Sequence, residues 1–301
     1  MSELLDTPKH ADLIYDVGMH RGEDTAFYLR KGFRVVAVEA DPELAAGCRT
    51  RFRDALASGR LTIAEGAIVE ADPARPMPAR VAFFKNDNSV WGTVRGDWAE
   101  RNARLGTASC AVEVAVIDFV QLLSAHGVPH YLKVDIEGLD LVCIGALRAF
   151  RARPDYVSIE TDKTSLASMR REVDVLSALG YDGFQAVEQS VVPQSRVPDP
   201  AREGACVAHR FEEGASGLFG AELDDAWKSA AGIMCQLRAI RLGYYLLGDD
   251  GIMNRWRFRG MNRLRAATTR WLQRYTGTAV PGWHDTHARL AVYEPSKPTG
   301  G

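Results

Sequence analysis

Residues 16–25 read DVGMHRGEDT: an acid, two glycines four positions apart and a helix start, directly after the apolar run LIY. A strand, a tight glycine turn and a helix N-terminus offer backbone N–H groups and the positive end of a helix dipole to a nucleotide-like ligand. Asp16 falls at the carboxyl end of the first strand, where open α/β sheets bind ligands. Gly18 and Gly22 let the backbone approach a ligand and let the next helix start close by. The order Gly18-Met19-His20-Arg21-Gly22 lacks the middle glycine of the G-x-G-x-x-G dinucleotide fingerprint, so a related but different ligand is implied. A second acid, Glu39, ends the run VVAVE roughly 20 residues later, just before Asp41 and Pro42. A carboxylate there can accept both hydroxyls of a ribose in a charge-assisted pair. Its plainer role is a helix-entry charge.

A third group lies far downstream in YLKVDIEGLDLVCIGAL, residues 131–147. On a strand, Lys133, Asp135 and Glu137 share one face while Leu132, Val134 and Ile136 share the other. Three charges on one face of a buried strand are costly unless they pair with one another or serve a site. Farther on, IETD supplies Glu160 and Asp162 near a strand end, as cation ligands or as an ordinary cap of the next helix. The polar stretch 86–94 around Trp91 reads as a surface turn or a loop touching substrate.

These residues need a scaffold that gathers strand ends. Short β-rich runs fall at 13–17, 33–39, 60–66, 79–85, 112–117, 131–136, 154–160 and 182–188, with amphipathic stretches at 23–31, 42–57, 140–150 and 166–179 between several of them. That alternation predicts right-handed βαβ units and a largely parallel sheet covered on both faces. After about residue 211 the β signals fade, 220–247 reads as helical, and no acidic residue occurs between Gly251 and His284. We therefore expect a ligand-binding domain over 1–210 and a helical C-terminal extension over 211–301.

Composition sets the outer limits. A chain of 301 residues with 25% charged and 46% hydrophobic residues suits a soluble globular enzyme, and a net charge of −2 argues against a general nucleic-acid binder. Cys48, Cys110, Cys143, Cys206 and Cys235 are scattered and form no C-x-x-C, which fits reduced thiols rather than a disulfide frame or zinc site. The charged N-terminus does not read as a signal peptide and no apolar run reaches spanning length, so a cytoplasmic protein is expected.

Together, DVGMHRGEDTAFYLRKGFRVVAVEADP and YLKVDIEGLDLVCIGAL resemble the glycine motif and the K-x-D-x-E-G motif of FkbM-type S-adenosylmethionine-dependent methyltransferases, over about residues 13–190. SGLFGAEL and GWHDTHARL are similar to C-terminal stretches of longer family members. The resemblance implies a class I methyltransferase (Rossmann-like) fold: α/β, with a mostly parallel seven-stranded sheet and flanking helices. It also implies O-methylation of a hydroxyl on a sugar, glycolipid or secondary metabolite. By that resemblance Asp16, Gly18 and Gly22 form the methionine-side loop, Glu39 holds the ribose, Gly66 and Ala67 flank the adenine, and Asp135 faces the sulfonium. Many relatives have Asn where this chain has His20, so no role passes to His20 by resemblance.

Methyl transfer from a sulfonium is a direct displacement, so an enzyme must mainly align the acceptor oxygen and take its proton. Asp135, Glu137 and His20 are the candidate catalytic groups. S-adenosylmethionine is the expected cofactor. A divalent metal is conceivable by analogy with some sugar methyltransferases, but no metal ligand is assigned. An NAD-type oxidoreductase shares the strand–glycine–helix–acid logic, yet the missing glycine and the K-x-D-x-E-G strand count against it. The expected partner is a small-molecule or glycan acceptor, and no nucleic acid is expected.

The segment 255–275 carries seven arginines. On a helical wheel Arg255, Arg259, Arg263, Arg270 and Arg274 cluster opposite Met261, Leu264, Thr268, Trp271, Leu272 and Tyr275. Such a helix can lie on an anionic membrane as a peripheral contact, grip a phosphorylated substrate, or form the edge of a docked cap with a solvated arginine face. The membrane role also suits a non-catalytic binding protein.

Overall fold

In the computed structural model, residues 3–72, 74–87, 92–96, 98, 100, 106–136, 138–162, 165–247, 252–255, 261–276 and 282–291 are described. Glu137, Trp91 and Arg259 lie outside the described residues. The first half of the chain lays down β1 (Lys9–Val17), α1 (Glu23–Arg30), β2 (Arg34–Glu39), α2 (Pro42–Arg51), α3 (Arg53–Ala57), β3 (Leu61–Glu65), β4 (Ala67–Ile68), β5 (Arg80–Asn86), β6 (Ser109–Ile117) and α4 (Phe119–His126). The second half adds β7 (Val128–Val134), α5 (Asp140–Ala146), β8 (Tyr156–Glu160), α6 (Leu166–Ala178), β9 (Tyr181–Glu188), α7 (Ala230–Leu247), α8 (Ile252–Arg255), α9 (Met261–Thr276) and β10 (His284–Leu290).

The main sheet has seven strands in the order β3-β2-β1-β7-β8-β10-β9. Neighbouring strands from β3 to β8 are parallel, and β10 runs antiparallel to both β8 and β9. This is the mostly parallel seven-stranded sheet with flanking helices that the family resemblance implies. The strand order reverses between β1 and β7, and such switch points open a crevice at the carboxyl ends of the strands.

Two expectations need correction. The strands expected at 79–85 and 112–117 exist, as β5 and β6, but they pair antiparallel in a separate three-stranded sheet with β4. Their half-exposed burial patterns leave one face to solvent, as an antiparallel ribbon permits. The other concerns the C-terminal extension, which is not helical throughout. Helix α7 begins at Ala230 rather than near 220, and residues 284–290 form a strand of the main sheet, between β8 and the edge strand β9. The sequence HDTHARL lacks apolar alternation, yet β8 and β9 satisfy its backbone on both sides, and that pairing decides its conformation.

Alternation along the central strands sets what each face carries. Leu13, Tyr15, Val17, Leu132 and Val134 point into one core, with Leu123, Ile144, Val173 and Leu237 from the helices above it. Ile14 and Tyr131 point into the other core, against Phe27 and Tyr28 of α1. Asp16 and Lys133 share this second face and are direct register partners on adjacent strands. Much of the second face is covered by coil, not helix. Phe211, Ala215 and Phe219 pack there, and Phe219 stacks on Tyr131 with ring centroids 4.8 Å apart. A fully buried ion pair between Lys31 and Glu222 pins this coil to the end of α1.

Candidate active site

The glycine loop is built by close approach. Gly18 has φ 84°, and a Cβ there would lie 1.9 Å from the Asp135 carbonyl oxygen, so only glycine fits. The amides of Gly18 and Met19 both donate to the Val38 carbonyl, at 3.0 and 2.9 Å. His20 follows in the left-handed region at φ 52°. Gly22 is the N-cap of α1, and a Cβ there would strike the Phe52 ring at 2.3 Å. Its role is packing and turn geometry: it does not line the cavity described below.

Glu39 clamps this loop. One carboxylate oxygen accepts from the His20 amide at 2.7 Å, and the other accepts from the Asp41 amide at 2.8 Å. Burial pushes its pKa up to about 7, against the pull of those two amides. A carboxylate has about four acceptor positions, so two engaged amides leave capacity for further donors.

Lys133 is the second organiser. Its ammonium donates to the Gly18 carbonyl at 3.0 Å and lies 3.2 Å from Asp16, 3.6 Å from Asp24 and 4.0 Å from Asp135. Burial works against its charge, but the carboxylates of Asp16, Asp24 and Asp135 outweigh it and hold its pKa well above the ordinary lysine value. Asp16 is fully buried, accepts from the Thr25 hydroxyl at 2.6 Å, and does not line the cavity. Its place is beneath the loop, as counter-ion to Lys133. Asp24 is raised to about 6 by burial, which outweighs the opposing pull of Lys133. It also accepts from the Ser216 amide with both oxygens, at 2.9 and 3.0 Å, and so ties the covering coil to α1.

A cavity of about 330 Å³ opens at the carboxyl ends of these strands. Gly18, His20, Glu39, Gly66, Ala67 and Asp135 all line it. The sheet order puts Glu39, Ala67, Ile68 and Phe83 toward one end and Asp135, Leu139, Glu160 and Trp283 toward the other. Asp135 follows β7, donates its amide to the Val17 carbonyl at 2.9 Å, and keeps a side chain 33% exposed. His20 Nδ1 lies 3.0 Å from Glu23. Glu160 lines the cavity and Asp162 does not.

Sequence reasoning missed Glu23, Asp24, Lys85, Gly214 and Trp283, all of which line the cavity. The acids at the first turn of α1 carried a readable signal, since carboxylates are stabilised at a helix N-terminus beside a ligand loop. Gly214 and Trp283 come from segments whose position depends on the tertiary fold. Behind the far end lie three more acids. Burial, then Asp135, pushes Asp140 up to about 7. Burial, then Asp140, pushes Glu172 up to about 8. Burial and Asp135 hold Asp285 well above the ordinary range, with Lys133 opposing. Among the described residues, no group of three or more His, Cys, Asp or Glu side chains is arranged to hold a metal ion.

Comparison with known proteins places this site in a family. The methyltransferase FkbM domain matches residues 16–182, more than half of the chain. The protein belongs to the FkbM methyltransferase family, a family of S-adenosylmethionine-dependent methyltransferases. Similar solved structures include an O-methyltransferase from Bacillus cereus in complex with SAH, at 15% identity and TM-score 0.35, covering 59% of this chain and 67% of that one. A SAM-dependent methyltransferase from Geobacter sulfurreducens in complex with S-adenosyl-L-homocysteine is similar at 12% identity and TM-score 0.33, covering 95% and 86%. No curated protein matches the sequence.

Proposed function

We propose that the cavity binds S-adenosylmethionine and that the enzyme methylates a hydroxyl oxygen of an uncharged acceptor, such as a sugar or another polyhydroxylated metabolite. The observation that carries this reading is the convergence of the Gly18 loop, Glu39, Gly66–Ala67 and Asp135 on one cavity. Glu39 would take the ribose hydroxyls with its remaining acceptor capacity. Ala67, Ile68 and Phe83 would flank the adenine, and the Gly18 carbonyl, His20 and Glu23 would meet the methionine part. When bound, the cofactor supplies an activated methyl on a cationic sulfur.

The protein's own part is alignment and proton removal. Among the described residues, Asp135 is the partly exposed carboxylate paired with Lys133, and it lines the cavity at the end away from Glu39. There it can accept the hydroxyl proton, a contribution worth about 10²–10⁴-fold. His20 is the weaker candidate, because it is engaged with Glu23. The lining acids Glu23, Asp24, Glu39, Asp41, Asp135 and Glu160 outnumber Lys85 and Lys133, a balance that favours a cationic cofactor and disfavours phosphorylated acceptors. The five free cysteines suit a reducing compartment such as the cytoplasm.

The test supplies methyl-labelled S-adenosylmethionine with a panel of neutral glycosides and polyols, their phosphorylated forms and amines of similar size. Label on a neutral hydroxyl, reduced at least about a hundredfold in Asp135→Asn, is the expected result. Transfer only to amines or to phosphorylated acceptors would contradict the reading.

A further inference from the structure

None of the described residues lining the cavity lies on helices α7 and α9. From residue 226 to 284 the sequence has ten Lys and Arg residues against two acids, Asp249 and Asp250. Leu272 of α9 is buried against Leu247 of α7, so the helices are packed together. Part of the apolar face of the arginine helix is left to solvent. Leu264 is 50% exposed and Trp271 is 59% exposed. Seven positions apart, they form one stripe along the helix. On α7, Leu242 and Tyr245 are 46% and 50% exposed, and Arg241 lies over the Tyr245 ring. Exposed Arg238, Arg263, Arg270 and Arg274 stand on the same two helices.

We propose that this paired-helix surface docks the protein on an anionic lipid membrane. Aliphatic and aromatic side chains bordered by arginines match the boundary between headgroups and acyl chains, where cationic heads reach phosphates while apolar groups enter the hydrocarbon. Charge complementarity selects the occupant, since this surface is cationic on a chain whose net charge is −2. Exposed leucines favour lipid over nucleic acid, which offers phosphates and stacking faces but no hydrocarbon. None of the described helices is long and apolar enough to cross a membrane, so the contact is peripheral.

Co-sedimentation of the full chain with phosphatidylcholine vesicles, with and without phosphatidylglycerol, tests the proposal at two salt concentrations. The parent should bind only the anionic vesicles and lose binding as salt rises. Arg263→Gln/Arg270→Gln/Arg274→Gln should bind them about a hundredfold more weakly, at about 1 kcal/mol per cation. Leu242→Ser/Leu264→Ser should also weaken binding but keep the salt dependence. An unchanged melting temperature shows that each variant is folded, and a variant that melts early is replaced by its Ala counterpart. Equal binding to neutral vesicles, no vesicle binding, binding of RNA instead of vesicles, or a dimer that the leucine variant dissolves would each overturn the proposal.

Discussion

The two ends of the cavity handle negative charge in opposite ways. At the glycine-loop end, Asp16 has Thr25 and Lys133, Asp24 has the Ser216 amide and Lys133, and Glu39 has two backbone amides. At the β7–β8–β10 end, burial first raises Asp140, Glu172 and Asp285, with Asp135 adding to the rise of Asp140 and Asp285 and Asp140 to that of Glu172, and Glu172 Oε2 has no hydrogen-bond partner among the described residues. One end is preorganised by paired charge. The other buries carboxylates whose charge is disfavoured first by burial and then by neighbouring acids, a cost that protonation relieves. Removing Lys133 should therefore destabilise the first end, whereas removing the charge of Glu172 should stabilise the second.

The largest effect is expected at Lys133. Lys133→Met leaves Asp16 and Asp24 buried without their cation, and losing one partner of a buried ion pair costs about 3–5 kcal/mol. Urea unfolding at pH 7 measures this. A cost below about 1 kcal/mol would mean that the two ends do not differ as described.

Asp135→Asn probes the boundary between the ends. Its side chain is partly exposed and 4.0 Å from Lys133, so the melting temperature should stay close to that of the parent while kcat falls at least about a hundredfold. An equal fall in stability and activity would make Asp135 part of the paired cluster instead.

The smaller and opposite effect is expected at Glu172. Its folded pKa, about 8, lies above the ordinary 4.5. Stability from the neutral form is fully present below pH 4.5 and is lost as pH rises through 8. Glu172→Gln removes that loss, so the variant should match the parent at pH 4 and exceed it by roughly 1–3 kcal/mol at pH 9. Parallel stability curves for the two proteins would break the contrast.

The contrast also separates what the sequence reveals from what it hides. The glycine-loop end is read from local spacing, because the strand, turn, helix and Glu39 lie within one βαβ unit. Even there, Asp16 and Gly22 were placed at the ligand, whereas the fold puts one beneath the loop and the other against Phe52. An acid at a strand end faces the crevice or the core depending on its side of the pleat, and the partner on the next strand decides the outcome. The far end is assembled from distant segments. Trp283 and Asp285 reach it only because HDTHARL inserts between β8 and β9. The covering coil is held by pairs such as Lys31–Glu222 and Asp24–Ser216, far apart in sequence and without a local pattern.

The central claim, that this cavity is an S-adenosylmethionine site organised around Glu39, is tested by calorimetric titration of S-adenosylhomocysteine and NAD into the parent and Glu39→Ala between pH 5 and 8. The folded pKa of Glu39 lies near 7, so a ligand that donates to its carboxylate must displace the proton below that pH. Affinity for S-adenosylhomocysteine should rise from pH 5 to about 7 and then level off, with proton release on binding near pH 6. In Glu39→Ala it should be at least about tenfold weaker and lose this pH dependence, since each charge-assisted hydrogen bond is worth roughly 1.5–3 kcal/mol. Unchanged affinity in Glu39→Ala, or tighter binding of NAD than of S-adenosylhomocysteine, would contradict the account.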